Sequence, residues 1–384
     1  MLLSKGFEVE VYTGTKKGEV VGLSDTIVRD LKDFVREPDN RNVEYTTDPI
    51  YNYDRLLCAL LRPRKDLRAY LKSLGNYTIV PGSTLSVGDS KTFFRSDPYN
   101  PYHDYIENTY HTSVVTASIH INIGINDIEK LMRAYRVIRM EAPLLLALSA
   151  SSPFLDNKVT GAHSTRWNLF PHTPKDVPLF TSHDHYIKWV EEQLVLGTMQ
   201  NVRHLWSSVR PNGENRPYEL NRLELRICDL VLNPVHLLAI TSILEARVQQ
   251  ILNDDTLDPL VQSEINHGDL ETQLLKIVRH NEKMASQSSL SATLRHWRDG
   301  REILAKDWLE EMISDLYPIA KQNGFACFLT PAYRILEEGN QAQQWLRQYE
   351  QGYSIPEIIT QAIDSVYQQE LELEDKLCQE ALVA

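Results

Sequence analysis

An α+β fold, with a mainly antiparallel sheet and helices packed around it, is predicted by two features of the chain. Up to residue 232, short stretches with two-residue alternation are separated by irregular connections and single helices. From Pro234 onward the pattern turns almost wholly helical, over 235–253, 267–285, 299–322, 340–350 and 356–381. No internal repeat, Gly/Ser linker or low-complexity segment divides the chain. Its 384 residues are therefore expected to form one domain, a sheet-containing part at 1–232 and a mostly helical part at 233–384.

The elements follow in order. FEVEVYTG at 7–14 alternates cleanly and reads as a strand. SDTIVRDLKDFV at 24–35 reads as a helix capped by Ser24, with Ile27, Leu31, Phe34 and Val35 on one face. NVEYTTD at 42–48 is a short strand and YDRLLCALLR at 53–62 a helix. The basic run RPRKDLR at 62–68 reads as a solvated turn and helix start. Residues 81–107 are rich in Gly, Pro, Ser and Asp, too irregular for a long element, and their aromatic side chains argue for a functional loop rather than a disordered one. VTASIHINIGIND at 115–127 places Ser118, His120 and Asn122 on one face and Ile119, Ile121 and Ile123 on the other. Residues 127–150 and 183–200 have helical periodicity, with His183, Asp184 and His185 as a polar cap and first turn. A second polar loop spans 151–174, and NRLELRICDL at 221–230 is a strand. On it Leu223, Leu225 and Ile227 share one face, and Arg222, Glu224, Arg226 and Cys228 the other, where Cys228 is expected to be an inert packed thiol. In the last helix Ile358, Ile359, Ala362, Ile363, Val366 and Leu373 are expected to pack on the core, with a second subunit as the alternative.

Composition removes several classes of function. A net charge of −12 argues against a nucleic-acid partner, which needs a basic footprint. The longest apolar run, APLLLALSA at 142–150, is far short of the roughly 20 residues that span a membrane. MLLSKGFEVEVY carries no apolar export signal, so a cytoplasmic location is expected, with Cys58, Cys228, Cys327 and Cys378 as free thiols. There is no P-loop, no dinucleotide-binding glycine motif, no nucleophile elbow and no H-E-x-x-H.

The candidate strands share one property: apolar residues on one face and metal- or anion-binding residues on the other. Glu8 and Glu10 stand two apart on the first, Glu44 on the second, His120 with Asn122 on the third, and Glu224 with Arg226 on the fourth. Aligned in one antiparallel sheet, these faces would wall a cavity with carboxylates and an imidazole. Clustered carboxylates repel one another unless cations neutralise them. Hard ions such as Mg²⁺ or Mn²⁺ suit oxygen ligands and are commonly shared with substrate phosphates. An arginine beside them clamps a phosphate or carboxylate. The combination points to phosphoryl chemistry on a nucleotide.

At these residues the sequence resembles the bacterial glutamate–cysteine ligases of cyanobacterial type, in the carboxylate–amine ligase superfamily related to glutamine synthetase. FEVEVYTGT matches the family's Gly-x-Glu-x-Glu strand at Gly6, Glu8 and Glu10, and VEYTTDP the next acidic segment at Glu44. PGSTLSVGDSKTFFRSDPYNPYHDYIE, SIHINIGI, SSPFLDNKVTGAHSTRWNLFP and RLELRICD follow in the family's order, over about residues 6–250. The resemblance implies a six-stranded antiparallel active-site sheet in a single catalytic domain. It also implies ligation of the γ-carboxyl of L-glutamate to the amine of L-cysteine, with ATP as co-substrate and Mg²⁺ as the metal. Carried over by position, Glu8, Glu10, Glu44, His120 and Glu224 would hold metal, Arg226 would contact the transferring phosphate and Arg166 a substrate α-carboxylate. A related ligase with a different amine acceptor, or a non-catalytic metal- or nucleotide-binding protein, are the alternatives, and the oligomeric state is left open.

Overall fold

The computed structural model describes residues 1–110, 115–265 and 268–375. Its first part runs β1 (Lys5–Thr15), α1 (Ser24–Asp30), β2 (Phe34–Arg36), β3 (Asn42–Thr46), α2 (Tyr53–Leu74), β4 (Tyr77–Val80), α3 (Pro101–Tyr110) and β5 (Ile119–Gly124). Next come α4 (Ile128–Ser149), the hairpin β6 (Phe154–Leu155) and β7 (Lys158–Val159), α5 (Thr165–Leu169), α6 (His183–Val195), β8 (Val209–Asn212) and β9 (Arg222–Leu225). The last part holds α7 (Pro234–Asn253), α8 (Pro259–Gln262), α9 (Leu270–Ser288), the hairpin β10 (Thr293–Arg295) and β11 (Glu302–Leu304), and α10 (Ala305–Gln322). It ends in α11 (Ala326–Leu329), α12 (Pro331–Glu338), α13 (Gln341–Glu350) and α14 (Ile355–Leu373).

The fold is the expected α+β arrangement. The main sheet follows the order β2-β3-β1-β5-β9-β8, with β4 as a seventh strand beside the end of β1, and its described pairings are antiparallel. Val9 and Val11 of β1, Ile119, Ile121 and Ile123 of β5 and Leu223 and Leu225 of β9 lie fully buried on one side. α4 packs against β8, β9, α7 and α9, which is why it is buried on nearly every face. Among the described residues no helix is long and apolar enough to cross a membrane.

Several sequence expectations need correction. The helix expected over 24–35 stops at Asp30, and Leu23 rather than Ser24 stands at its N-cap. Phe34 and Val35 leave it to pair with Tyr45 and Glu44, and Phe34 packs edge-on against the Tyr45 ring at 5.8 Å, so sheet pairing overrides helical periodicity. The basic run at 62–68 is neither a turn nor a helix start; it lies inside α2. Arg64 and Arg68 are buried there, and both reach Glu370 of α14, at 3.5 and 2.8 Å. The stretch 299–322 is helical only from Ala305, because Gly300, at φ +76, turns β10 back into β11. The 81–107 loop gives way to α3 at Pro101, and the 151–174 loop holds the β6–β7 hairpin and α5. Ile358, Ile359, Ala362, Ile363 and Val366 are buried in the core, and Leu373 packs partly buried against it. His183 begins α6, with Ser182 as its N-cap. Cys228 and Cys327 are free thiols; Cys378 lies outside the described residues.

Candidate active site

Strand register brings the singled-out residues onto one face. Glu8 lies opposite His120, Glu10 opposite Glu44, and Asn122 opposite Glu224. Gly6, on the same face, sits close against the end of β3: a Cβ would come within 3.3 Å of the Thr47 carbonyl, a tight approach. That glycine lines a cavity of about 410 Å³ together with Glu8, Thr47, Asn122 and Arg222.

Two trios result, each with ligand atoms within 4.8 Å of one another: Glu8, His120 and Glu224, and Glu10, Glu37 and Glu44. Two oxygens on opposite sides of an ion at that spacing imply a metal–oxygen distance of at most about 2.4 Å, within the span of Mg²⁺ and Ca²⁺ sites. Their electrostatics differ sharply. Glu224 is fully buried, and its carboxylate accepts from Arg210 Nε, Asn212 Nδ2 and an Arg226 Nη, each at 2.6 Å. Burial opposes its charge, but Arg210, Arg226 and His120 hold it well below the usual carboxylate range. Burial and Glu224 push the Glu8 carboxyl up, and the His120 contact at 2.9 Å, with Arg226, more than offsets them.

The second trio is poorly compensated. Burial first, then Glu10 and Glu8, push the Glu44 carboxyl up to about 8. Burial with Glu10 and Glu44 raises Glu37 well above its ordinary value, and the charge of Arg226 offsets only part of this in both. Crowded acids held partly protonated near neutral pH fit a divalent cation, which supplies the missing positive charge. The first trio fits one only after Glu224 releases a guanidinium.

Beyond Leu225 the strand departs from simple alternation. The N–H groups of Arg226 and Ile227 both donate to the Ser208 carbonyl, at 2.8 and 3.2 Å, so two residues face one. This bulge reverses the parity expected for Cys228. Its sulfur faces α4, 3.9 Å from the Leu145 carbonyl, and burial pushes the thiol up to about 12, which keeps it inert. Asp229 takes the place opposite Ser118 instead. It accepts from Ser152 and Ser164 hydroxyls at 2.7 and 2.8 Å.

Arg166 sits behind the bulge, 1% exposed, its two Nη groups donating to the carbonyls of Ile227 and Arg226, each at 3.1 Å. Both hold the bulge backbone that carries Arg226, while the Arg166 Nε, also buried, has no hydrogen-bond partner.

Glu37, Arg210, Asn212 and Asp229 escaped the sequence reading. Arg210 and Asn212 alternate with Val209 and Pro211, a readable two-residue pattern, but a proline inside a run argues against a strand. Here it is tolerated because β8 is the sheet edge.

The family model described as glutamate–cysteine ligase family 2 matches residues 4–369. The chain belongs to this family. A Sorangium cellulosum protein provisionally described as glutamate–cysteine ligase 2 is 27% identical over 248 residues, 64% of this chain and 62% of that protein. The chain thus spans less than two thirds of that relative. A similarly described Rubrobacter xylanophilus protein is 24% identical, covering 78% of this chain and 77% of its own length. Among solved structures, a glutamate–cysteine ligase from Francisella tularensis in complex with AMP superposes with a TM-score of 0.73 at 14% identity, covering 100% of this chain and 94% of that one. A bifunctional glutathione synthetase from Pasteurella multocida gives 0.72 at 16%, covering 98% of this chain and 53% of that one. At such identities the likeness shows the fold.

Proposed function

We propose that the protein is an ATP-dependent ligase joining the γ-carboxyl of L-glutamate to the amine of L-cysteine, with the whole chain acting as one catalytic unit. The observation that carries this reading is the pair of acidic trios on one sheet face with the Arg226 charge acting on both. Family membership over residues 4–369 supports the ligase class.

A carboxylate cannot expel oxide, so the reaction needs an activated acyl donor. A γ-carboxylate oxygen attacks the γ-phosphorus of ATP, and ADP leaves with the electrons of the broken P–O bond. The amine nitrogen then attacks the acyl carbon of the γ-glutamyl phosphate, phosphate departs with the C–O electrons, and the amine gives up a proton. Mg²⁺, with Mn²⁺ as the alternative, held by Glu10, Glu37 and Glu44 and by Glu8, His120 and Glu224, would neutralise phosphate charge during the transfer. Arg226, kept in place by Glu224 and by the Arg166 clamp, offers a cation to the transferring phosphoryl group. The cavity beside Gly6 and Glu8 is the proposed nucleotide entrance, and the loops at 81–100 and 151–174 exclude water that would hydrolyse the acyl phosphate.

The test is Mg²⁺-dependent ADP release with L-glutamate, with and without L-cysteine and across a panel of other amines. Release that rises sharply with cysteine and falls to background in Glu224→Gln supports the reading. Release with another amine keeps the mechanism and changes the acceptor. No release under any combination, with nucleotide still bound, leaves a binding protein.

A further inference from the structure

Glu37 and Glu44 of the second trio flank the turn that joins β2 to β3, and the middle of that turn holds a buried ion pair. Asp39 and Arg41 are 3% and 5% exposed; Arg41 Nε donates to Asp39 Oδ1 at 2.8 Å and Nη2 to Oδ2 at 2.9 Å. The rest of the guanidinium reaches out of the turn. Nη1 donates to the Asp89 carbonyl at 2.9 Å and Nη2 to the Thr92 carbonyl at 2.7 Å, and the Phe94 ring centroid lies 4.9 Å from the guanidinium carbon. Asp39 Oδ2 also accepts the Phe94 N–H, at 2.9 Å.

The backbone repeats the connection. The Asn40 N–H donates to the Phe94 carbonyl at 2.7 Å and the Ser96 N–H to the Pro38 carbonyl at 2.9 Å, with Asp39 and Arg95 paired antiparallel between them. At Ser90 the same segment is tied to the β6–β7 turn, where the N–H and the hydroxyl both donate to the Asp156 carboxylate at 2.7 Å. Segment 89–96 therefore bridges the turn between two metal-binding candidates and the hairpin of the 151–174 loop. Apolar burial contributes little to its position. Phe93 packs partly buried against the core, Phe94 is 46% exposed, and Lys91 and Thr92 lie exposed. A segment held by polar contacts near solvent opens at low cost, so its order follows the geometry of what it is tied to.

Ionised carboxylates at Glu37 and Glu44 repel each other, and a divalent cation draws them to one separation, which fixes both ends of the turn. Resting on the metal-dependent ligase reading above, we infer that Arg41 is a positioning residue that couples cation binding at Glu10, Glu37 and Glu44 to the ordering of segment 89–96. Neither Arg41 nor Asp39 belongs to either trio. The coupling is reciprocal: whatever factor the ion adds to the order of the segment, the ordered segment adds to the affinity for the ion. The planar fork carries it. A lysine keeps a positive charge beside Asp39 but cannot hold a carboxylate and two carbonyls at fixed angles.

Two measurements on the full chain test this. In hydrogen exchange without nucleotide, Mg²⁺ in place of chelator should slow the 89–96 amides of wild type about tenfold and leave those of α4 unchanged. Arg41→Gln and Arg41→Lys should both abolish that slowing, and both should raise the Mg²⁺ concentration for half-maximal ADP release about tenfold. Arg41→Lys should recover most of the unfolding temperature that Arg41→Gln loses in chelator, which separates coupling from folding. Where Arg41→Gln does not fold, Arg41→Lys and the wild-type exchange comparison decide. No Mg²⁺ effect on 89–96 in wild type, or an undiminished effect in a folded Arg41 variant, overturns the proposal. Turnover with a wild-type Mg²⁺ response in those variants also overturns it while the ligase reading stands. Mg²⁺-linked protection that both variants lose, without turnover on any amine, retains the coupling and rejects the ligase.

Discussion

Glu10 on β1 and Glu44 on β3 stand directly opposite each other in the antiparallel ladder, and Glu37 completes a trio whose oxygens lie within 4.8 Å of one another. Like charges opposite one another destabilise a sheet. With its carboxyl at about 8 in the folded chain, Glu44 keeps a proton that the unfolded chain has released above a pH of about 4.3. Its contribution is therefore fully present below that unfolded value and is lost as pH rises through 8. In chelator the unfolding temperature of wild type, relative to Glu44→Gln, should fall between pH 5 and pH 8, roughly the interval between those two values. Mg²⁺ should restore it most at the upper end. A difference that stays flat across this range would remove the charge-crowding account.

Glu37 tests the same trio from the other side. Glu37→Gln deletes one oxygen ligand and a buried carboxyl whose ionisation burial, Glu10 and Glu44 oppose. The unfolding temperature in chelator should rise, by the equivalent of about 1 kcal/mol. The Mg²⁺ concentration giving half-maximal ADP release should rise at least tenfold. A variant that loses stability in chelator and keeps its metal response would place Glu37 outside the metal set.

What the sequence disclosed follows from the range of each signal. The alternation in FEVEVY, SIHINIG and RLEL fixed which residues share a face, and the register then set Glu8 against His120 and Glu10 against Glu44. Glu37 carried no such signal, because the three-residue β2 is too short to show a period and the glutamate follows its end. Asp229 was hidden by the bulge at Arg226 and Ile227, since one inserted residue reverses every later parity. Arg64 and Arg68 read as solvated because their partner, Glu370, lies some three hundred residues away along the chain. The Asp299-Gly300 turn was legible and was overrun by the helical period around it.

Arg226 and Arg210 both bind Glu224, but only Arg226 also approaches His120, at 3.4 Å. Removing a cation that acts on transferring charge costs about 10²–10³-fold in kcat. Arg226→Gln should show a loss of that size in ADP release. Arg210→Gln acts through Glu224 and should cost less in kcat, while both variants lose stability, because each leaves a buried carboxylate with one guanidinium instead of two. Equal kinetic losses in both variants would make the pair one structural clamp with no separate role for Arg226.

The junction between α2 and α14 is the last test, and it separates stability from chemistry. Glu370 of α14 accepts from Arg68 Nε at 2.8 Å and meets an Arg64 Nη at 3.5 Å, while Arg64 also donates to the Tyr45 hydroxyl and the Leu232 carbonyl. Tyr45 belongs to β3, beside Glu44, so the junction supports the strand that carries the acidic trio. Breaking a buried ion pair by removing one partner costs about 3–5 kcal/mol. Glu370→Gln keeps an acceptor oxygen, and Arg64 keeps two other partners, so the loss should fall near the lower end, about 3 kcal/mol by chemical denaturation. The Mg²⁺ response of ADP release from the folded fraction should match wild type, because Glu370 touches neither trio. A tenfold weaker Mg²⁺ response at full folding would show instead that α14 holds β3, and with it Glu44, in working position.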